Sequence, residues 1–239
     1  IELSFCKNAD EVDVEKTDGI IAVGRFLSAE LEKMKQLGIQ VLFVDSNPDP
    51  HEFNSIQPNL QMMVETAIEY FVQAGYQKIG FIGGRSWDST EGRHVLRDTR
   101  TRCFESRARE LGLFNQNYVF IGDNFSVDSG YQVGREIVGK IRDDLPQAFL
   151  VASDPLAVGV LQAFNENKLT VPEDVSMISI NDIDIAKYVS PPLTTFRIDT
   201  EELGKVAIET LRNLIVSPKK SKRMILLDAD LVFRKSFVI

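Results

Sequence analysis

The chain has 239 residues, of which 44% are hydrophobic and 26% are charged. This is ordinary usage for a globular protein, and the length suffices for a sizeable core without disulfides. The two cysteines do not amount to a disulfide scaffold, and no apolar run approaches the roughly 20 residues that span a bilayer. A net charge of −8 argues against nucleic-acid binding by charge alone. Because the N-terminal segment lacks the features of a signal peptide, we expect a cytoplasmic protein.

The first half of the chain alternates short apolar segments with amphipathic ones. Leu31, Met34 and Leu37 recur at helical spacing, and Gly38 follows as a helix end. A turn-rich stretch at 46–50 separates the second strand from the helix that follows. We predict strands at 20–23, 41–44 and 78–82, and helices at 28–37, 60–74 and 101–111.

The second half repeats this alternation. Asp154-Pro155 is typical of a helix start, with Asp154 as the cap and proline in the first helical position. We predict strands at 118–121, 149–152 and 175–180, helices at 128–141, 154–167 and 200–215, and a closing strand pair or long bent strand at 226–234. Strands that alternate with helices of this length predict βαβ units, so we expect the α/β class with parallel sheets.

Small polar residues follow most of the predicted strands. In parallel α/β sheets ligands bind beyond the carboxyl ends of the strands, so these residues are the candidates for a binding site. Such side chains suit a neutral, polyhydroxylated ligand better than a metal ion. The residues concerned are Gly24-Arg25, Asp45, Gly83-Gly84-Arg85, Ser153-Asp154 and Asn181-Asp182.

The residue patterns of common catalytic and metal sites are missing. The only histidines, His51 and His94, stand apart and are predicted on the surface. No nucleophile elbow, phosphate-binding loop or dinucleotide fingerprint occurs. Cys6 and Cys103 are predicted as buried, unreactive thiols. We therefore predict no catalytic residue, no metal and no cofactor, although composition alone leaves a glycosidase-type carboxylate pair open.

Several segments, taken in order, resemble the effector-binding domain of LacI/GalR-family transcriptional regulators. The block from 153 to 195 is the most specific, and DGIIAVG together with FVDSNPD (43–49) resembles the galactose-repressor-like branch. The segments are DGIIAVG (18–24), GYQKIGFIGG (75–84), LVASDPLAVGVLQAF (150–164), VPEDVSMISIND (171–182), SPPLTTFRID (190–199) and LVFRKSF (231–237).

This resemblance implies a two-lobed, periplasmic-binding-protein-like fold with a sugar-like effector in the cleft. Each lobe would be a parallel sheet flanked by helices, and three crossovers near 56–58, 194–198 and 222–227 would join the lobes. The expected lobes are 1–57 plus 195–222 at the N-terminal side, and 58–194 plus 223–239 at the C-terminal side.

The resemblance also has implications for DNA binding and dimerisation. The helix-turn-helix domain, which precedes the effector domain in the family, has no counterpart in this chain, and we expect the N-terminal lobe to be incomplete. The resemblance implies a homodimer, and the helix at 154–167 with the segment after it is our candidate for part of the interface.

Arg100 fits the effector-binding arginine of the family's R-x-x-G-F pattern. Cys103 stands where the family has glycine, which puts the close helix packing there in doubt. A guanidinium can donate two parallel hydrogen bonds to vicinal hydroxyls or to a carboxylate. Arg97 and Arg102 are the alternatives if the register is shifted.

The other effector contacts implied by the resemblance come from different strand ends. Asn181 stands where many relatives have an effector-binding Asp, and its amide can both donate and accept. Phe125 matches the aromatic residue that stacks on the sugar ring. Ser153 stands where relatives often have Asn, Asp154 follows it, and Asp45 matches a cleft carboxylate.

We therefore expect the effector-binding and dimerisation part of a sugar-responsive bacterial regulator, a repressor rather than an enzyme. Its partners would be a small-molecule sugar, operator DNA through a domain missing here, and a second copy, without any membrane. Galactose or a galactoside is the expected sugar, while sugar phosphates stay open. A transport-type sugar-binding protein is the alternative, and a sugar-processing enzyme is a weaker one.

Overall fold

A computed structural model of the chain describes residues 2–87, 95–96, 98–218 and 221–238. The helices are α1 (Ser28–Gln36), α2 (Leu60–Gln73), α3 (Thr99–Glu110), α4 (Val127–Ile141), α5 (Asp154–Glu166) and α6 (Thr200–Val216). The strands are β1 (Gly19–Val23), β2 (Gln40–Val44), β3 (Asn54–Pro58), β4 (Ile79–Gly84), β5 (Ser86–Trp87), β6 (Val95–Leu96), β7 (Val119–Gly122), β8 (Ala148–Val151), β9 (Ser176–Asn181), β10 (Thr194–Arg197), β11 (Met224–Leu227) and β12 (Asp230–Val232).

The chain divides into two compact units. The first consists mainly of Ile1–Pro58 and Asp199–Leu227, and the second of Asn59–Ser86, Val95–Ile198 and Asp228–Ile239. Each unit has an α/β sheet of its own. Among the helices of the described ranges, none combines the length and apolar character needed to cross a bilayer.

The sheet of the first unit has four parallel strands in the order β1-β2-β3-β11. Helix α6 packs against β1, β2 and β3. Phe43 on β2 is fully buried and lies 4.7 Å, ring centre to ring centre, from Phe53. The apolar side chains of α1 join this core through Leu31 and Met34, as their helical spacing predicts.

The sheet of the second unit has six strands in the order β12-β10-β9-β8-β4-β7. All neighbours are parallel except β12, which runs antiparallel to β10. The chain passes from β4 to β7 at one edge and then returns to β8 on the other side of β4. The strand order therefore reverses between β4 and β8, and such a switch point is where open α/β sheets bind ligands.

The predicted α/β class with parallel sheets is confirmed, and the predicted helices begin and end within about two residues of the observed ones. Four short strands, β3, β5, β6 and β10, were missed. β3 and β10 are polar and lie where only crossovers were expected. The prediction of a strand pair at 226–234 is wrong. β11 and β12 do not pair with each other, because β11 joins the four-stranded sheet and β12 the six-stranded one.

The expected lobe boundaries differ from the observed units by a few residues. The expected lobes put 195–198 in the first and 223–227 in the second. Backbone hydrogen bonding instead joins β10 to β9 in the six-stranded sheet and β11 to β3 in the four-stranded one. The unit boundaries accordingly follow Pro58, Ile198 and Leu227.

Helices α4 and α5 are packed closely through glycines. A Cβ atom on Gly130 would lie 2.1 Å from the Leu156 carbonyl oxygen, and one on Gly159 would lie 2.0 Å from the Val127 carbonyl oxygen. Most of α5 is consequently buried, and the side chains it exposes are polar: Gln162, Asn165 and Glu166. The expected dimer interface on this helix remains a prediction.

Candidate functional site

Arg100 lies at the switch point of the six-stranded sheet, in the first turn of α3. Its Nη1 donates to the carbonyl oxygen of Ala152, directly after β8, over 2.6 Å. Its Nε and Nη2 donate to the two carboxylate oxygens of Asp98 over 2.7 and 3.0 Å. Asp98 also caps α3 by accepting from the Arg100 backbone N–H. The guanidinium is thus fixed by the helix start and by the neighbouring strand end.

The hydrogen-bonding capacity of Arg100 is not exhausted by these contacts. A guanidinium has five N–H donors, and three are used here. The other two have no partner within the described part of the chain. The exposed fraction of the side chain is 13%, and that of Asp98 is 6%, so the pair is largely removed from water. Arg100 is therefore an oriented donor in a region of reduced screening.

Phe125 lies in the loop after β7 and faces the same arginine. Its ring centre is 4.6 Å from Arg100 Cζ, which is a cation–π contact, and the ring also packs against the core. Gly84 at the end of β4 allows this approach, because a Cβ there would lie 2.5 Å from the Asn124 carbonyl oxygen. The structure thus brings Phe125 and Arg100 together, and Phe125 contributes to packing as well.

Ser153 and Asp154 follow β8 beside the carbonyl that Arg100 binds. Ser153 is the residue before α5, is 3% exposed, and its hydroxyl has no hydrogen-bond partner among the described residues. Asp154 is fully buried and points inward. Its carboxylate accepts from the Thr195 hydroxyl over 2.7 Å, from the Ile183 N–H over 2.8 Å, and from the Ser179 hydroxyl.

The inward position of Asp154 corrects the expected cap. The helix begins at Asp154 itself, Ser153 occupies the capping position without a side-chain cap, and the Asp154 carboxylate joins β9 and β10 to α5 instead. Burial raises the pKa of Asp154, and the bonds from Ser179, Thr195 and Ile183 only partly offset this effect. Both carboxylate oxygens of Asp154 accept hydrogen bonds from within the protein, so this geometry does not support its predicted contact with the effector.

Asn181 ends β9, and the backbone there takes an unusual course. The φ angle is +122° at Asn181 and +54° at Asp182. The Asp182 side chain is 1% exposed and accepts from Arg234 Nη2 over 2.6 Å and from Arg197 Nε over 2.7 Å. Burial alone would raise the pKa of Asp182, but the two arginines outweigh it and hold the pKa below its usual value. Ile183 occupies the N-cap position of the short helical segment that follows, without a side-chain cap.

Asp45 belongs to the first unit and lies at the end of β2. It is exposed, its φ is +63°, and its N–H donates to the Ile56 carbonyl oxygen over 3.0 Å. Nearby Asn47 donates through Nδ2 to the Ser55 hydroxyl over 2.9 Å, while its Oδ1 is buried without a partner among the described residues. Asn47 is thus a polar candidate in this unit that the sequence analysis did not single out.

The two alternatives to Arg100 fare differently. Arg97 lies outside the described residues. Arg102 is exposed and donates to the Thr99 hydroxyl over 3.3 Å, on the surface of α3. The residues that hold the site in place were missed. Asp98 carried a local signal, a capping residue two positions before Arg100, whereas Arg197 and Arg234 carried none.

The described residues contain no group of three or more histidine, cysteine, aspartate or glutamate side chains placed to hold a metal ion. His51 is exposed, and His94 lies outside the described residues. Cys6 is exposed, which corrects the expectation of a buried thiol, because the segment 2–8 around it is exposed throughout. Cys103 is half-buried, and burial raises the pKa of its thiol.

Known proteins are similar to this chain over nearly its whole length. The family model of a periplasmic binding protein-like domain matches residues 68–237. The HTH-type transcriptional regulator GanR of Bacillus subtilis is 38% identical over 238 residues, which are 99% of this chain and 72% of that protein. The regulator LacR of Lactobacillus helveticus is 41% identical over 223 residues, 92% of this chain and 65% of that protein.

Solved structures agree with the fold. A LacI-family transcriptional regulator of Weissella paramesenteroides, solved with bound sucrose, superimposes with a TM-score of 0.78 at 20% identity, covering 93% of this chain and 78% of that one. The chain thus spans about two thirds to three quarters of the length of its relatives. Together with the matched domain, these similarities show that the chain belongs to the LacI/GalR family of transcriptional regulators and carries its periplasmic-binding-protein-like domain.

Proposed function

We propose that this chain is the sugar-binding, effector-sensing part of a bacterial transcriptional repressor. The observation that carries this proposal is the pairing of Arg100 with Phe125 at the switch point. A sugar presents vicinal hydroxyls, which suit the two remaining N–H donors of Arg100, and an apolar C–H face, which suits an aromatic ring. The buried hydroxyl of Ser153 adds a further polar group beside them.

The effector that this arrangement favours is an uncharged sugar. Asp98 pairs with Arg100 through both carboxylate oxygens and so neutralises its charge within the site. An anion would gain little from a guanidinium that is already paired, and it would face the carboxylate of Asp98. A hydroxyl needs only the oriented N–H donors. Galactose or a neutral galactoside is our first candidate, and a sugar phosphate is not.

Family membership supports a proposal about the partners of the whole protein. We propose that it acts in the cytoplasm, binds operator DNA through a helix-turn-helix domain, and forms a homodimer. The polar exposed side of α5 offers little to a dimer interface. The segment after β9 offers more, because Ile183, Ile185 and Tyr188 are 41%, 43% and 79% exposed. Bound sugar would shift the dimer between two states, to the extent that its affinity for them differs.

Calorimetric titration with galactose, lactose and galactose 1-phosphate tests the proposed effector. We expect a neutral sugar to bind without turnover, and we expect Arg100→Ala to abolish that binding. Arg102→Ala is the matched control, because Arg102 is an exposed arginine on the same helix. Tighter binding of the phosphate, equal losses in both variants, or consumption of the sugar would each contradict the proposal.

A further inference from the structure

We propose that Asp182 is a positioning residue that holds Asn181 in its unusual backbone conformation at the end of β9. Asn181 is the residue through which Asp182 would act on a ligand, so the functional part of this inference rests on the proposed sugar site. The conformational part depends only on the contacts around the two residues.

The backbone of Asn181 is strained. Its φ of +122° lies outside the small left-handed region near +60° that residues other than glycine can occupy, and Asp182 follows with +54°. Conformations of this kind persist only when surrounding contacts determine them. Glycine would adopt them without steric cost, but this chain has an amide side chain there.

Two arginines fix the side chain of Asp182. Each carboxylate oxygen accepts from a different arginine, Oδ1 from Arg234 and Oδ2 from Arg197. Arg234 is itself anchored, because its Nη1 donates to the Leu193 carbonyl oxygen and its backbone N–H donates to the Thr194 hydroxyl, each over 2.8 Å. Asp182 is therefore bonded to Arg197 at the end of β10, the strand next to β9, and to Arg234 directly after β12.

Hydrogen bonds also hold the chain at the strained residue and directly after it. The Ile183 N–H donates to Asp154 over 2.8 Å, and the Asp182 N–H contacts the Thr195 hydroxyl at 3.4 Å. The carbonyl oxygen of Asn181 accepts from the Ile198 N–H at 3.3 Å. The contacts of Asn181 and Asp182 themselves are long, neutral hydrogen bonds and weaker than the two arginine pairs, so loss of the Asp182 charge is the change that we expect to let Asn181 relax.

A double-mutant cycle on stability tests the conformational part without any ligand. Asn181→Gly relieves the strain, so we expect it to raise the melting midpoint of the otherwise unchanged chain by about 2–4 °C. In the Asp182→Asn background the strain is already relieved, and we expect no such rise. Equal shifts in the two backgrounds would overturn the inference. If Asp182→Asn does not fold, Arg197→Met replaces it, since Arg197 is 54% exposed.

Titration with galactose tests the functional part. We expect Asp182→Asn to weaken binding about tenfold in the unchanged chain, and to change nothing when Asn181 is already glycine. Asp184→Asn is the matched control, because Asp184 is exposed and its ion pair among the described residues is with nearby Lys187 in the same segment. An equal loss in both backgrounds would indicate general destabilisation and overturn the inference. If galactose does not bind the unchanged chain, the proposed effector fails while the stability cycle still decides the positioning role.

Discussion

Two arginine–aspartate clusters lie at neighbouring strand ends of the same sheet, and they use their charges in opposite ways. At the switch point one carboxylate, Asp98, orients one arginine, and Arg100 keeps two N–H donors for a ligand. After β9 the carboxylate of Asp182 accepts hydrogen bonds from two arginines, one at each oxygen. Both of its oxygens are therefore occupied. The cluster with unused N–H donors can bind a ligand, whereas the one with both carboxylate oxygens occupied supports the backbone beside it.

Arg100→Met should have the largest effect. It removes the ligand donors and leaves the buried carboxylate of Asp98 without its bidentate partner. We expect sugar affinity to fall at least roughly a hundredfold, and the free energy of unfolding to fall by about 3 kcal/mol, as for a broken buried pair. Calorimetry and urea unfolding measure the two losses.

Adding Asp98→Asn to Arg100→Met separates binding from stability. The double variant no longer buries the carboxylate charge that has lost its arginine, so we expect it to recover part of the stability and none of the affinity. Unchanged affinity in Arg100→Met would contradict the assignment of Arg100 as the sugar donor.

Arg234→Met tests the cluster formed by Asp182, Arg197 and Arg234. Asp182 would keep only Arg197, whose side chain is half exposed, so we expect the free energy of unfolding to fall by about 2–3 kcal/mol. Sugar affinity should fall by less than tenfold, because Arg234 acts only through the backbone of Asn181. Arg135→Met, at an exposed position on α4, is the control and should change neither quantity. A larger affinity loss than in Arg100→Met would reverse the two roles.

Gly84→Ala tests the position of Phe125, the aromatic residue that contacts Arg100. The new Cβ would lie 2.5 Å from the Asn124 carbonyl oxygen, so the loop that carries Phe125 must shift. We expect a stability loss of about 1–2 kcal/mol and an affinity loss of roughly tenfold. Chemical denaturation and titration with galactose measure the two quantities. Full affinity in this variant would show that Phe125 does not need its present position.

The smallest expected effect is on the pH dependence of stability. The pKa of Asp182 is lowered on folding. Its contribution to the free energy of unfolding is therefore complete above about pH 4, the pKa of an aspartate in the unfolded chain, and is lost as the pH falls through the lowered pKa. The pKa of Asp154 is raised, so its ionisation costs stability as the pH rises from about 4 to the raised value.

Urea midpoints measured between pH 3 and pH 7 distinguish the two acids. Asp182→Asn should flatten the acid loss below pH 4, and Asp154→Asn should remove the decline above it. The same change in both variants would show that the arginines do not control Asp182.

Short motifs account for the part of the site that could be predicted from the sequence. Arg100 and Phe125 were identified by the resemblance to the family, and Ser153 also by its position after a predicted strand. The supporting residues were missed because Asp182 is separated from its partners by 15 and 52 residues along the chain. Nothing in the immediate neighbourhood of Arg234 indicates a buried carboxylate. Asp154 matched a helix cap equally well, and only the packing of β9 and β10 turned its side chain inward.

The candidate arginine came from the resemblance to the family, while hydrophobic periodicity and turn signals by themselves determined the α/β class and the alternation of elements. These are properties of ten to twenty consecutive residues, so they can be recognised without knowing the fold. The tertiary structure decided the partners of each buried charge. The strand order places β9 and β10 side by side and β12 next to β10, and a charge removed from water must pair with whichever residues that order brings near it.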